Sequence, residues 1–189
     1  MKILALDIGN VCLAIHPELY FRRLGFAESR QQPPELAAIE ADQLECGRIT
    51  TEEFLAAVSS RLPSPLSPAV IDEAFRAIIG DPLPGMNELI ASLPERGIRP
   101  IFFSDTSAVH LEEVRKRFPA AATVPDGVYS FECGARKKDD PMFRRFEERF
   151  GVPFLYVDDN PQLIARARAR GWRAELFAGA DALARVLFE

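Results

Sequence analysis

Four short apolar runs constrain this chain more than any other feature: Ile3–Leu6, Pro100–Phe103, Pro153–Val157 and Arg173–Phe177. Each is too short for a helix and is bounded by polar or turn-forming residues, so each is predicted as a buried strand. Between them, apolar residues recur at helical spacing. Met86, Leu89, Ile90 and Leu93 mark a helix over Met86–Glu95, and Val109, Val114 and Phe118 mark Ala108–Phe118. Met142, Phe143, Phe146 and Phe150 mark Asp140–Phe150, while Gln162–Arg170 runs up to Gly171, a suitable residue to follow a helix end. Strand alternating with helix implies an α/β fold, a Rossmann-type, doubly wound parallel sheet with helices on both faces.

One stretch breaks the alternation. Residues 16–82 carry no predicted strand but four helical segments, from about Pro17 to Leu24, Pro34 to Leu44, Thr51 to Leu62 and Pro68 to Ile79. Thr50 or Thr51 with Glu53 gives the third a capping-box signature. Pro63, Pro65 and Pro68 punctuate the last turn, and Asp81–Gly85 has the composition of a linker. The expected organisation is therefore an α/β core from residues 1–15 and 83–189, with a helical cap (16–82) inserted after the first strand.

Bulk properties narrow the class without choosing a chemistry. At 189 residues the chain suits one domain with a smaller inserted module. The formal charge is −5 and the basic residues are scattered, which argues against nucleic acid as a partner. The apolar start before Asp7 is too short for a signal segment or a membrane span. Cys12, Cys46 and Cys133 are odd in number and lack metal-ligand spacing, so three reduced thiols and a cytoplasmic location are expected, with no membrane partner. The oligomeric state is left open.

In an open parallel sheet, ligands bind outside the carboxyl ends of the strands. The residues to weigh are those that follow the strands: Asp7, then Ser104 and Asp105, then Asp158 and Asp159. Arg136, Lys137 and Lys138 stand in a loop before a helix. Taken singly, Asp7 reads equally well as a helix cap, Ser104 as a turn residue and Lys137 as a solvated charge. Asp158-Asp159-Asn160-Pro161 by itself suits a proline-started helix. Their convergence on one sheet edge is what favours a site.

The order of these residues resembles the four motifs of the haloacid dehalogenase (HAD) superfamily. The matching segments are Asp7-Ile-Gly-Asn-Val11, Phe103-Ser-Asp-Thr106, Lys137 with Asp139 and Phe143, and Val157-Asp-Asp-Asn160. Leu83-Pro-Gly85 with Glu88, Leu89, Leu93 and Gly97 resembles the helix before the second motif. Glu45-Cys-Gly-Arg-Ile-Thr50 with Glu53 and Phe54 resembles part of an inserted helical cap. The Asp7–Val11 run and the Ser104–His110 run are most similar to the bacterial glucose-1-phosphate phosphatase subgroup.

The resemblance implies a hydrolase acting on a small phosphorylated metabolite, a phosphomonoester such as a sugar phosphate. Asp7 would be the nucleophile, forming an aspartyl-phosphate. Mg²⁺ would be held by Asp7, the Gly9 carbonyl, Asp159 and Asp158. Ser104 and Lys137 would hold the phosphoryl oxygens, with backbone N–H groups at Gly9 and Asn10 as further donors. Asp105 would sit beside the substrate.

Two positions depart from the pattern. Gly9 stands where the superfamily's phosphatases carry a second Asp that serves as acid and base, although the named subgroup also has glycine there. Asp105 replaces the usual Asn. These departures keep two alternatives in view: a non-catalytic protein that binds a phosphorylated ligand, and a metal-free 2-haloacid dehalogenase. The Asp158–Asp159 pair opposes the dehalogenase, because carboxylates facing Asp7 without a cation would weaken the nucleophile. His16 and His110 are secondary candidates for acid–base or packing roles. Arg22, Arg23 and Arg48 are expected on a solvated face, and Trp172 as an apolar contact at a strand entrance.

Overall fold

A computed structural model describes residues 1–26, 35–62 and 64–188. In chain order, β1 (Lys2–Leu6) is followed by β2 (Leu13–Ile15), α1 (Pro17–Arg23), α2 (Glu35–Glu45), α3 (Thr51–Arg61), α4 (Pro68–Arg76) and β3 (Ile79–Pro82). Then come α5 (Met86–Ser92), β4 (Ile98–Ser104), α6 (Ala108–Arg117), β5 (Gly127–Tyr129), α7 (Ser130–Cys133) and α8 (Asp140–Phe150). The chain ends with β6 (Leu155–Asp158), α9 (Pro161–Ala169), β7 (Ala174–Leu176) and α10 (Ala180–Phe188). The main sheet has five strands in the order β5-β4-β1-β6-β7, and every pairing in it is parallel.

Side-chain alternation along the strands builds two apolar layers. Leu4, Leu6, Phe102, Leu155 and Val157 join one cluster, which α5, α6 and α10 cover. Ala5, Ile101, Phe103 and Tyr156 point to the other face, where Met142, Phe143 and Phe146 of α8 and Ile164 and Ala167 of α9 pack. Trp172 joins that second layer, and its Nε1 donates to Glu147 Oε1 at 2.8 Å. A strand buried on both faces needs uninterrupted apolar sequence, which explains why these runs stood out.

The helices of the insertion form a third cluster around Tyr20, Leu24, Leu44, Phe54, Val58, Ile71 and Phe75. Val109 of α6 enters this cluster and ties it to the core. The capping box of α3 forms as expected, with Glu53 N–H donating to Thr50 Oγ1 at 3.1 Å and Thr50 N–H donating to Glu53 Oε2 at 2.8 Å. Gly47 lets the end of α2 press against α7. Its φ is +62°, and a Cβ there would fall 2.1 Å from the Phe131 carbonyl oxygen.

The structure corrects several expectations. The insertion is not free of strands: residues 79–82 form β3, which pairs antiparallel with β2 in a two-stranded ribbon. The helix expected to reach Ile79 therefore ends at Arg76, and Pro94 stops the helix expected to reach Glu95 at Ser92. The edge strand β5 and the helices α7 and α10 went unpredicted. The expected helix start at Pro34 and the punctuation at Pro63 lie outside the described residues. Among the described residues, no helix is long and apolar enough to cross a membrane.

His110, the third residue of α6, joins core and insertion. Its ring stacks on Phe75 of α4 with centroids 4.0 Å apart, and its Nε2 lies 3.0 Å from the Phe75 carbonyl oxygen. Burial lowers its pKa to about 4, against the opposing pull of the Phe75 hydrogen bond, with Arg76 and Glu113 as smaller influences. The folded protein thus refuses a proton that the unfolded chain accepts at about 6.5. Stability should be intact above that value and decline as pH falls toward 4. The decline should amount to about 3 kcal/mol for this group. Urea midpoints measured across that window should fall more steeply for the wild type than for His110→Gln.

Candidate active site

Asp7, Ser104 and Asp158 stand at the carboxyl ends of three adjacent strands because parallel pairing sets β1, β4 and β6 in register. Leu6 lies beside Phe102 and Val157, so Asp7 and Asp158 emerge side by side, and Ser104 follows one residue further along β4. Asp7 is held at this edge by its N–H, which donates to the Val157 carbonyl at 3.0 Å. All three side chains are buried, Asp158 completely.

Lys137 joins them from the loop before α8. Its Nζ lies 2.8 Å from Asp7 Oδ1 and donates to Asp158 Oδ2 at 2.6 Å. Burial alone would pull the ammonium's pKa down. The carboxylates of Asp7, Asp158 and Asp105 overcome this and hold it above its usual range, so Lys137 stays charged. Asp7 feels the opposite balance. Burial raises its pKa to about 7, with Lys137 lowering it and Asp158 adding a smaller upward push.

Asp158 accepts three hydrogen bonds. Besides Lys137, the Tyr156 hydroxyl donates to Oδ2 and the Asn160 N–H donates to Oδ1 at 2.8 Å. Tyr156 escaped the sequence reading, although a signal existed: residues two apart on a strand share a sheet face. Its hydroxyl therefore stands beside the Asp158 carboxylate. Burial, followed by the charge of Asp158, keeps this phenol protonated.

Asp105 also has a structural task. Its Oδ1 accepts the backbone N–H of Lys137 at 2.8 Å, so it anchors the loop that delivers the ammonium. Burial raises its pKa, partly offset by Lys137. The following turn is fixed by Ser130, whose Oγ accepts from Thr106 N–H at 2.8 Å and donates to the Thr106 carbonyl at 2.9 Å. Ser104 faces the site, and the contact of its Oγ with the Asp105 carbonyl is a long 3.4 Å.

Asn10 differs from its expected role. Its N–H is already committed to the Leu13 carbonyl at 2.8 Å, so it is not a spare donor for a ligand. The side chain works instead, donating from Nδ2 to Asp159 Oδ2 at 3.2 Å and accepting from Ile15 N–H at 3.3 Å. Its φ of +52° is a left-handed conformation that Asn tolerates better than most residues. Gly9 lies in the same tight turn and lines the cavity.

One oxygen each of Asp7, Asp158 and Asp159 lies within 4.8 Å of the others. When all three are ionised, Lys137 as the single ammonium among them leaves a local charge of −2. Hard oxygen donors with this excess suit a divalent cation of the Mg²⁺ or Ca²⁺ type.

These residues border a cavity of about 520 Å³ beneath the helical insertion. Pro17, Tyr20, Phe21, Ala41, Glu45, Phe75 and Ile78 reach it from the insertion, and none of them was singled out for the site from sequence. Arg136 crosses the same boundary, pairing with Glu45 at 2.6 Å and Asp42 at 2.7 Å. His110 lines the cavity. His16 is not among its lining residues: it is half exposed, pairs with Glu18 at 3.2 Å and packs beside Gly80.

The arrangement is that of the HAD-like fold, a parallel core with a carboxylate after the first strand. No protein-family model matches the chain. Its architecture is similar to the HAD family enzyme BT-2542 of Bacteroides thetaiotaomicron, with a TM-score of 0.85 at 19% identity, covering 100% of this chain and 99% of that one. A structure of BT-2542 in complex with magnesium and inorganic phosphate matches with a TM-score of 0.79 at 21% identity, over the whole of both chains. A protein of Porphyromonas gingivalis described as a predicted HAD-like family hydrolase gives 0.82 at 22% identity, over 100% and 98%. The L-2-haloacid dehalogenase of Xanthobacter autotrophicus is more distant, at 0.65 and 14%, over 98% and 81%.

Removing Lys137 should leave the three carboxylates facing one another without compensation. Breaking a buried pair in this way typically costs about 3–5 kcal/mol. For Lys137→Ala in metal-free buffer, the loss relative to wild type should be largest at pH 8. It should shrink toward pH 5.5, where protonation of the orphaned carboxylates relieves the repulsion. Urea unfolding at both pH values measures the difference.

Proposed function

We propose that this protein hydrolyses a small phosphorylated metabolite, a phosphomonoester, with a Mg²⁺ cofactor and Asp7 as nucleophile. The observation that carries the reading is the buried Asp7–Lys137–Asp158 chain with Asp159 beside it, at the carboxyl ends of β1 and β6. Asp7, Asp158, Asp159 and the Gly9 carbonyl would hold the cation. When bound, it would neutralise their charge, lower the Asp7 pKa and screen the approach of a phosphate dianion. The magnesium and phosphate complex of BT-2542 supports the same choice of ion and ligand.

The chain's own residues supply the rest. The Asp7 carboxylate attacks phosphorus, forming an aspartyl-phosphate as the bond to the leaving oxygen breaks. The departing alkoxide or phenoxide takes its proton from water. A second water then attacks phosphorus, the bond to Asp7 breaks, and both hydrogens of that water leave on the phosphate. Lys137 and the Ser104 hydroxyl stabilise the phosphoryl oxygens as charge develops. Tyr156 and Asp105 position the ammonium, the first through Asp158 and the second through the Lys137 backbone.

Three buried or clustered carboxylates disfavour the metal-free dehalogenase reading, since that chemistry gains nothing from them. A binding protein without turnover would have little use for a nucleophile held at an ordered 2.8 Å from its counter-ion.

Phosphate release from a phosphomonoester panel should require a divalent cation and stop in excess chelator. Asp7→Asn should abolish it while thermal unfolding stays cooperative. Lys137→Ala should lower kcat/KM by about 10²–10³, more than Ser104→Ala, because it removes a full charge. Undiminished turnover in chelator would refute the metal-dependent reading.

Gly9 leaves the usual acid–base position without a functional group, and His16 is not positioned to replace it. General acid–base help is typically worth about 10²–10⁴ in rate. Esters with acidic leaving groups should therefore be favoured. A plot of log kcat/KM against leaving-group pKa should have a steep negative slope, and a flat one would reveal a hidden acid.

A further inference from the structure

The cavity has two chemically different walls. The strand ends supply carboxylates, hydroxyls and the Lys137 ammonium. The other wall is carbon, from Ile15, Pro17, Tyr20, Phe21, Phe75 and Ile78. Its rings form a connected cluster, with Tyr20 centred 5.2 Å from Phe21 and 5.5 Å from Phe75. His110 continues the cluster by stacking on Phe75.

Polar groups at this wall are few, and each is either engaged or buried away from the cavity. Among the described residues, Glu45 is the single charged side chain that the insertion contributes to the lining, and Arg136 holds it at 2.6 Å. His110 Nε2 is engaged with the Phe75 carbonyl. The Tyr20 hydroxyl is itself buried, so the ring rather than the oxygen meets the cavity. A sugar brought under this wall would exchange hydrogen bonds to water for contact with carbon. A flat apolar group would gain by leaving water and can meet the rings face-on or edge-on.

We infer that the site prefers phosphomonoesters whose leaving group is an apolar, ring-bearing alcohol or phenol over phosphorylated sugars, because the wall that the insertion presents is carbon. The inference rests on the phosphatase reading and deepens it. Phenols also leave without a protonating acid, so Gly9 and the carbon wall favour overlapping substrates for separate reasons.

The test separates binding from turnover. With Mg²⁺ present, calorimetry on the wild-type protein compares 3-phenylpropylphosphonate with the phosphonate isostere of glucose 6-phosphate, neither of which can be hydrolysed. The aryl ligand should bind at least about tenfold tighter, the scale on which apolar pockets discriminate. Phe21→Asn should narrow that ratio. Turnover of 2-phenylethyl phosphate and glucose 6-phosphate, both primary alkyl esters, should follow the same order in kcat/KM. Equal or tighter binding of the sugar phosphonate would overturn the inference. Absence of phosphate release from both esters and from acetyl phosphate, with the binding preference intact, would instead refute the phosphatase reading alone.

Discussion

The Lys137 ammonium, set between Asp7 and Asp158, is the interaction on which the site depends. A buried charge costs several kcal/mol in lost hydration, and attraction to its partners offsets that only when the geometry is good. The sequence spends several residues on that geometry. Asp105 holds the loop, Tyr156 and Asn160 fix Asp158, and the sheet register places both carboxylates at one edge. Asp7 then receives only part of the compensation it needs, which is why its carboxyl remains raised. On the proposed reading, a cation would supply the compensation that Asp7 still lacks.

The cavity extends the same economy of charge. Polar groups gather where the strands end, and the helical insertion covers them with rings and aliphatic chains. Apart from the Glu45–Arg136 ion pair, the rest of the enclosure makes little electrostatic demand. Low polarity around the charged strand ends strengthens each interaction there.

Much of this was legible in the sequence, for physical reasons. Central strands buried on both faces must be apolar throughout, so Ile3–Leu6 and Pro153–Val157 announce themselves, and the residues after them become candidates automatically. The ribbon strands escaped detection because Ile79-Gly-Asp-Pro82 has the composition of a turn. Its pairing partner, Leu13–Ile15, lies more than sixty residues earlier in the chain, and local patterns do not report distant pairing. The edge strand Gly127–Tyr129 is only three residues long. Asp105 and Asn10 make contacts that the sequence did not announce. What decides their roles is a backbone N–H presented by another loop and a left-handed φ, and neither leaves a trace in spacing.

The β2–β3 ribbon has one further consequence. By pairing residue 13 with residue 82 and residue 15 with residue 79, it brings the entry and exit of the helical insertion side by side. The core therefore meets a fixed pair of neighbouring ends whatever runs between them. The entropy of closing a loop rises only slowly with its length, so the core is largely indifferent to the size of the module it carries there. The fold thus separates a workbench from its cover, and a module of another length could stand over the same buried lysine without disturbing the strands that hold it.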